Sequence, residues 1–111
     1  MKIQTHLIEN TWLDHPHGWG NGYVGVPKGH PWYGLDTVFL EGVSTHRGIT
    51  YAECRLPDAA EEPGLWWVGF DTNHSGDDIE SCPKEYVEEV VENLRMQAQR
   101  IADLENGTFS L

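Results

Sequence analysis

From Tyr86 onward the apolar residues Val87, Val90, Val91, Leu94, Ala98, Ile101 and Leu104 recur at helical spacing, with Glu88, Glu89, Glu92, Arg95 and Arg100 mostly off that line. No other feature constrains the fold as strongly. A stripe of period 3.6 is an amphipathic helix, and its apolar side must be covered by something else in the chain. Pro83 supplies a first helical residue, Ser81 or Cys82 a cap, and Glu85 a first-turn acid that favours the helix dipole. Asn106-Gly107 supplies a stop.

The cover is expected to be β-structure. Ile3, Thr5 and Leu7 alternate with Gln4 and His6, the period-two pattern of a half-buried strand. Between Asn10 and Gly34 the Gly and Pro residues leave room for one strand, over Tyr23-Val24-Gly25-Val26-Pro27. Thr37-Val38-Phe39-Leu40 and Gly48 to Cys54 are β-rich runs separated by a turn around Ser44 to Gly48, which predicts a hairpin or meander. A polar loop follows from Leu56 to Gly64. Trp66-Trp67-Val68-Gly69-Phe70 carries no charge on either face and predicts a central strand. The expected architecture is one α+β domain over residues 1–111, an antiparallel sheet of four or five strands with the long C-terminal helix packed on one face.

Eighteen acids against seven bases give a formal charge of −11, a field that repels phosphate backbones and anionic lipid surfaces. Direct binding to nucleic acid or membrane is therefore not expected. An acidic surface can keep a protein soluble, or dock on a basic partner. Cys54 and Cys82 have no CxxC or Cys/His finger spacing and read as free thiols of a reducing compartment. No leader-like segment and no apolar run of membrane-spanning length occurs, so a cytoplasmic location is expected.

The densest polar grouping is Asp71-Thr72-Asn73-His74-Ser75-Gly76-Asp77-Asp78, directly after the aromatic run. Asp71, His74 and Asp77 are spaced by three and can converge on a tight turn. With His46 they offer four oxygen and imidazole ligands suited to a divalent metal, zinc or manganese. Such a centre could polarise water for hydrolysis, with His30 as general acid or base. Ordinary Asx and Ser turns account for the same composition more simply. A second grouping, His30, Trp32 and Tyr33 with His46 and Arg47, combines stacking rings with donors to anionic oxygens and could hold a nucleotide-like ligand. A loop pinned by its own aromatic residues is the ordinary alternative. His15 and His17 form a His-x-His pair that lacks a third ligand nearby in the chain, and neither a Gly-x-Ser-x-Gly elbow nor a P-loop is present.

Gly22-Tyr23-Val24, Pro27 to Gly34, His46-Arg47-Gly48-Ile49-Thr50-Tyr51 and Trp66-Trp67-Val68-Gly69-Phe70-Asp71-x-x-His74-x-Gly76-Asp77, in that order and followed by a helix, resemble a family of small uncharacterised proteins encoded by bacteriophages and prophages. Members of that family often have glycine where this chain has Arg47. The resemblance implies a setting in an infected host cell rather than a reaction. Three expectations stand open. One is an accessory protein that binds, through its acidic surface to a basic host protein as a counter-defence inhibitor, or through its His/Trp/Tyr loops to a small anionic ligand. Another is a metal-dependent hydrolase using His46, Asp71, His74 and Asp77. The last is an interaction subunit that forms a homodimer through the C-terminal helix near Ile101 and Leu104.

Overall fold

The computed structural model describes residues 2–11, 14–58 and 64–105. Four strands, β1 (Gln4–Glu9), β2 (Gly20–Pro27), β3 (Tyr51–Glu53) and β4 (Leu65–Phe70), form one antiparallel sheet in the order β1-β2-β4-β3. Helix α1 (Lys84–Glu105) follows them and lies against β2 and β1. The protein is thus α+β, with the apolar stripe of its helix covered by one sheet face.

Alternation along the two central strands assigns the side chains. Val24 and Val26 of β2 and Val68 and Phe70 of β4 face the helix, where they meet Val87, Val91, Leu94 and Ala98. Tyr23 and Trp67 point the other way and form a second cluster with Leu56, backed by Ile8, Tyr51 and Leu65. Both faces of β4 are therefore apolar, which is why this run carries no charge. The helix sits unusually near β2 at Gly22, where a Cβ would fall 2.1 Å from Val91 Cγ2 and 2.7 Å from Phe70 Cε1.

Several local expectations are corrected. Thr37–Leu40 is a 3₁₀ turn rather than a strand. Asp36 caps it, its carboxylate accepting from Thr37 N at 2.7 Å, and only Leu40 enters the core while Val38 and Phe39 are exposed. With no strand alongside to pack against, β propensity has nothing to act on. Hence no hairpin joins it to β3, which spans three residues, and Arg47 and Gly48 take left-handed backbone angles in the loop that leads to it. β2 begins three residues earlier than expected, since Gly20 and Gly22 are what fit close to Ile8 and Val91. The helix begins at Lys84, one residue after Pro83, whose carbonyl accepts from Val87 N at 3.1 Å. At its far end Ala102 is buried and Leu104 is 54% exposed, so the stripe closes earlier than its spacing predicts. Asn106-Gly107 and residues 59–63 of the loop after Leu56 lie outside the described residues.

Candidate metal centre

Antiparallel pairing puts Tyr51 of β3 opposite Gly69 of β4, so the loop that enters β3 and the loop that leaves β4 emerge at the same end of the sheet. Helix α1 starts from that end as well, because the β4 loop runs directly into it. Both loops are fixed by the backbone around them. Gly18 N donates to Thr72 O at 2.7 Å, Trp19 N to Cys82 O at 2.8 Å, and Thr72 Oγ1 to Gly20 O at 2.7 Å. The Gln97 amide, reaching out from α1, accepts from Ser44 N at 3.1 Å and donates to Ser44 O at 2.6 Å, which holds the β3 loop against the helix.

Asp77 is the hub of this end, with its side chain 3% exposed. It accepts from His74 N at 3.0 Å and from His46 Nε2, 3.0 Å from Oδ1 and 3.1 Å from Oδ2. His74 Nδ1 lies 3.3 Å from Asp77 Oδ2 and 3.4 Å from Asp71 Oδ1, and Arg47 Nε 3.7 Å from Asp77 Oδ1. Burial alone raises the Asp77 carboxyl, but the donated hydrogen bonds and the nearby imidazole outweigh it and leave the group below its ordinary value. Cys82 Sγ completes the cluster, 3.7 Å from Asp77 Oδ1 and 3.9 Å from His46 Nε2. Burial pushes this thiol up, and the Asp77 charge adds to the effect.

Which nitrogen of His46 faces what decides the chemistry open to the cluster. Nε2 faces both Asp77 and Cys82, while Nδ1 lies 2.7 Å from Tyr86 Oη. A nucleophile relay needs its thiol and its carboxylate on opposite ring nitrogens. With both on Nε2, the group is not a cysteine-histidine-aspartate triad, and the raised thiol points the same way. The three side chains instead offer a cation the donor types of a zinc site. Imidazole nitrogen, carboxylate oxygen and sulfur all lie within 4.8 Å of one another. Around zinc, with Zn–N near 2.0–2.1 Å and Zn–S near 2.3 Å, tetrahedral donors lie roughly 3.3–3.6 Å apart. Shifts of a few tenths of an ångström would bring the observed distances to that geometry. Tyr86 Oη is placed to accept from His46 Nδ1–H once Nε2 is a ligand, the outer hydrogen bond that orients a ligating imidazole.

Of the residues expected to ligate metal, His46, Asp71, His74 and Asp77 do share this end of the molecule. Asp71 is at its margin, accepting from Thr50 Oγ1 at 2.9 Å and Asn73 N at 3.0 Å. The aromatic grouping does not assemble. His30 is buried, its Nε2 2.8 Å from Ala98 O and its Nδ1 accepting from Trp32 N at 2.9 Å. Trp32 is core, and Tyr33 packs on Trp66. Only His46 and Arg47 of that set reach the cluster. Ala98 is twelve residues along α1 from Tyr86, about 18 Å at 1.5 Å per residue, so His30 is too distant to exchange protons with it. Cys82 has no sequence motif to mark it. Its one local signal is its place at the helix start, five residues after Asp77. A shallow groove of about 440 Å³ lies beside the cluster, lined by His15, Asn73, His74, Ser75, Asp77 and Asp78 among others. The chain matches no protein-family model, no curated protein and no solved structure.

Proposed function

We propose that the protein is a zinc-dependent hydrolase whose ion is held by His46 Nε2, an Asp77 oxygen and Cys82 Sγ. The observation that carries this reading is the convergence of three chemically different zinc donors on one buried point. A thiolate in the set favours zinc over manganese. Three protein ligands and an open fourth position characterise catalytic rather than structural zinc sites. A zinc ion there supplies a Lewis acid that acidifies a water in the open position.

The chain's own residues supply the rest. His74, less buried than the ligands and with Nδ1 between Asp71 and Asp77, would serve as the general base and acid beside such a water. In ester hydrolysis this water would add to the electrophilic centre as the ester bond breaks, and its proton would pass by way of His74 to the leaving oxygen. Tyr86 and the Gln97 clamp fix His46 without touching the reacting atoms.

Elemental analysis of protein purified without tag or chelator should find one equivalent of zinc. Cys82→Ser and His46→Ala should each remove most of it, while His74→Ala should keep the ion and lose hydrolysis of model esters by about 10²-fold or more. Metal-free folded wild-type protein would sink this reading.

A second reading rests on the outer surface of α1, where Glu85, Glu88, Glu89 and Glu92 are all exposed. Together with the net charge of −11, it supports docking on a basic partner, and the resemblance to phage-encoded proteins supports a host protein in that role. Capture of such a partner should weaken as ionic strength rises from 0.05 to about 0.5 M. Salt-independent capture would count against it.

A further inference from the structure

Among the described residues, Arg47 is the one non-glycine residue with a positive φ, 57°, and Gly48 follows at 89°. Left-handed backbone is costly for a side chain as bulky as arginine, and such strain persists where the surroundings over-determine it. Glycine would remove the cost, so the retained guanidinium is what needs a physical account.

Its position supplies one. Arg47 Nε lies 3.7 Å from Asp77 Oδ1, and Nη2 lies 3.7 Å from the point where a Cβ on Gly76 would stand. The side chain therefore passes over Gly76 beside the metal ligands, with 51% of its surface exposed. A long contact to an already saturated carboxylate leaves most of the fork's donors for something else. Asp77 already receives His74 N and His74 Nδ1 at shorter range, so the 3.7 Å contact from Arg47 adds little to it. Elsewhere the cluster is acidic, with Asp71, Asp77 and Asp78 close together in sequence and Glu80 after them. An anion would be repelled there unless a cation and Arg47 acted jointly.

We propose that Arg47 is the anion-recognition residue of this centre and that its substrates are phosphate esters, the phosphoryl oxygens being gripped by the guanidinium fork while another faces the zinc. This rests on the zinc reading above. Planar bidentate recognition of a phosphoryl group is what arginine does better than lysine. The left-handed Arg47-Gly48 backbone directly follows His46, and the Arg47 side chain lies beside Asp77 and Gly76.

The test uses inorganic phosphate as the probe on full-length zinc-loaded protein, followed by calorimetry or ³¹P line broadening. Three variants accompany the wild type: Arg47→Gly, which relieves the backbone and so should fold, Arg47→Lys, which keeps the charge without the fork, and His74→Ala. Phosphate affinity should fall at least tenfold in Arg47→Gly and by a smaller factor in Arg47→Lys, with zinc content unchanged in both. Zinc bound normally but phosphate affinity indifferent to Arg47→Gly would overturn this proposal and leave the zinc centre standing. Acetate competing as well as phosphate would also overturn it, since a generic anion site would then be present. Wild-type protein that takes up no zinc would overturn the hydrolase reading itself and this one with it.

Discussion

His30 commits both ring nitrogens, Nε2–H donating to Ala98 O and Nδ1 accepting from Trp32 N. Burial holds the imidazole below its ordinary value of 6.5, with the Ala98 carbonyl acting in the opposite direction. The unfolded chain therefore takes up a proton near pH 6.5 while the folded chain does so only at lower pH. Stability from this group is full above pH 6.5 and declines as pH drops through 6.5 towards the folded value, at no more than about 1.4 kcal/mol per pH unit. Urea unfolding at pH 7.5 and 5.5 should show a larger acid loss in wild type than in His30→Gln, which does not titrate. The variant should also be less stable at pH 7.5 by about 1–3 kcal/mol, because the Trp32 N–H is left without its acceptor. Equal acid losses in the two proteins would remove His30 from the account. A buried histidine of this kind is indistinguishable in sequence from a catalytic one. What separates them is a tertiary partner sixty-eight residues away, which no local pattern reports. Arg47 illustrates the converse. A left-handed backbone angle that glycine takes most readily is borne here by an arginine.

Packing at the element scale turns on Gly22. The 2.1 Å approach of Val91 Cγ2 to its missing Cβ means that any side chain there must push α1 off β2. Gly22→Ala should cost about 1–3 kcal/mol through overpacking. Gly42, which has nothing within 4 Å of its Cβ position, is the matched control, and its alanine variant should stay within about 0.5 kcal/mol of wild type. Thermal or urea melts of the two variants check this, and equal effects would show that the helix–sheet contact yields freely. The helix was readable because its stripe repeats over five turns, and β4 because an apolar run without charge fits only a strand buried on both faces. Thr37–Leu40 misled because β-branched and aromatic residues favour strands only where a neighbouring strand receives them, and here a capping carboxylate captures the chain first. The extension of β2 across Gly20-Asn21-Gly22 was hidden for a related reason. Glycine weakens a strand signal locally, yet these glycines are selected by contacts with Ile8 and Val91 that lie elsewhere in the chain.

For the molecule as a whole, the loop contents of the candidate site were legible and its assembly was not. Asp71, His74 and Asp77 at intervals of three already imply convergence, but pairing them with His46 requires the β3–β4 register, and adding Cys82 requires the helix start to close the same end. Zinc bound to residues 46, 77 and 82 would tie the loop before β3 to the segment that launches α1, adding to the hydrogen bonds of Asp77 and Tyr86 with His46 and of Gln97 with Ser44. Because the ion binds the folded chain far better than the unfolded one, it should add RT ln(1 + [L]/Kd), about 4 kcal/mol at a thousandfold excess over Kd. For a domain of this size that corresponds to a fall in Tm of roughly 15–30 °C on chelation. The change should be uneven in space. Amide exchange should accelerate at residues 44–50 and 71–82, where the cross-link is lost, and stay nearly constant in the β1–β2 pairing at the other side of the sheet, which the ion does not touch. If chelation leaves both Tm and exchange unaltered, Asp77 and its hydrogen bonds suffice to hold this end together, and the cluster is a structural clasp rather than a metal centre.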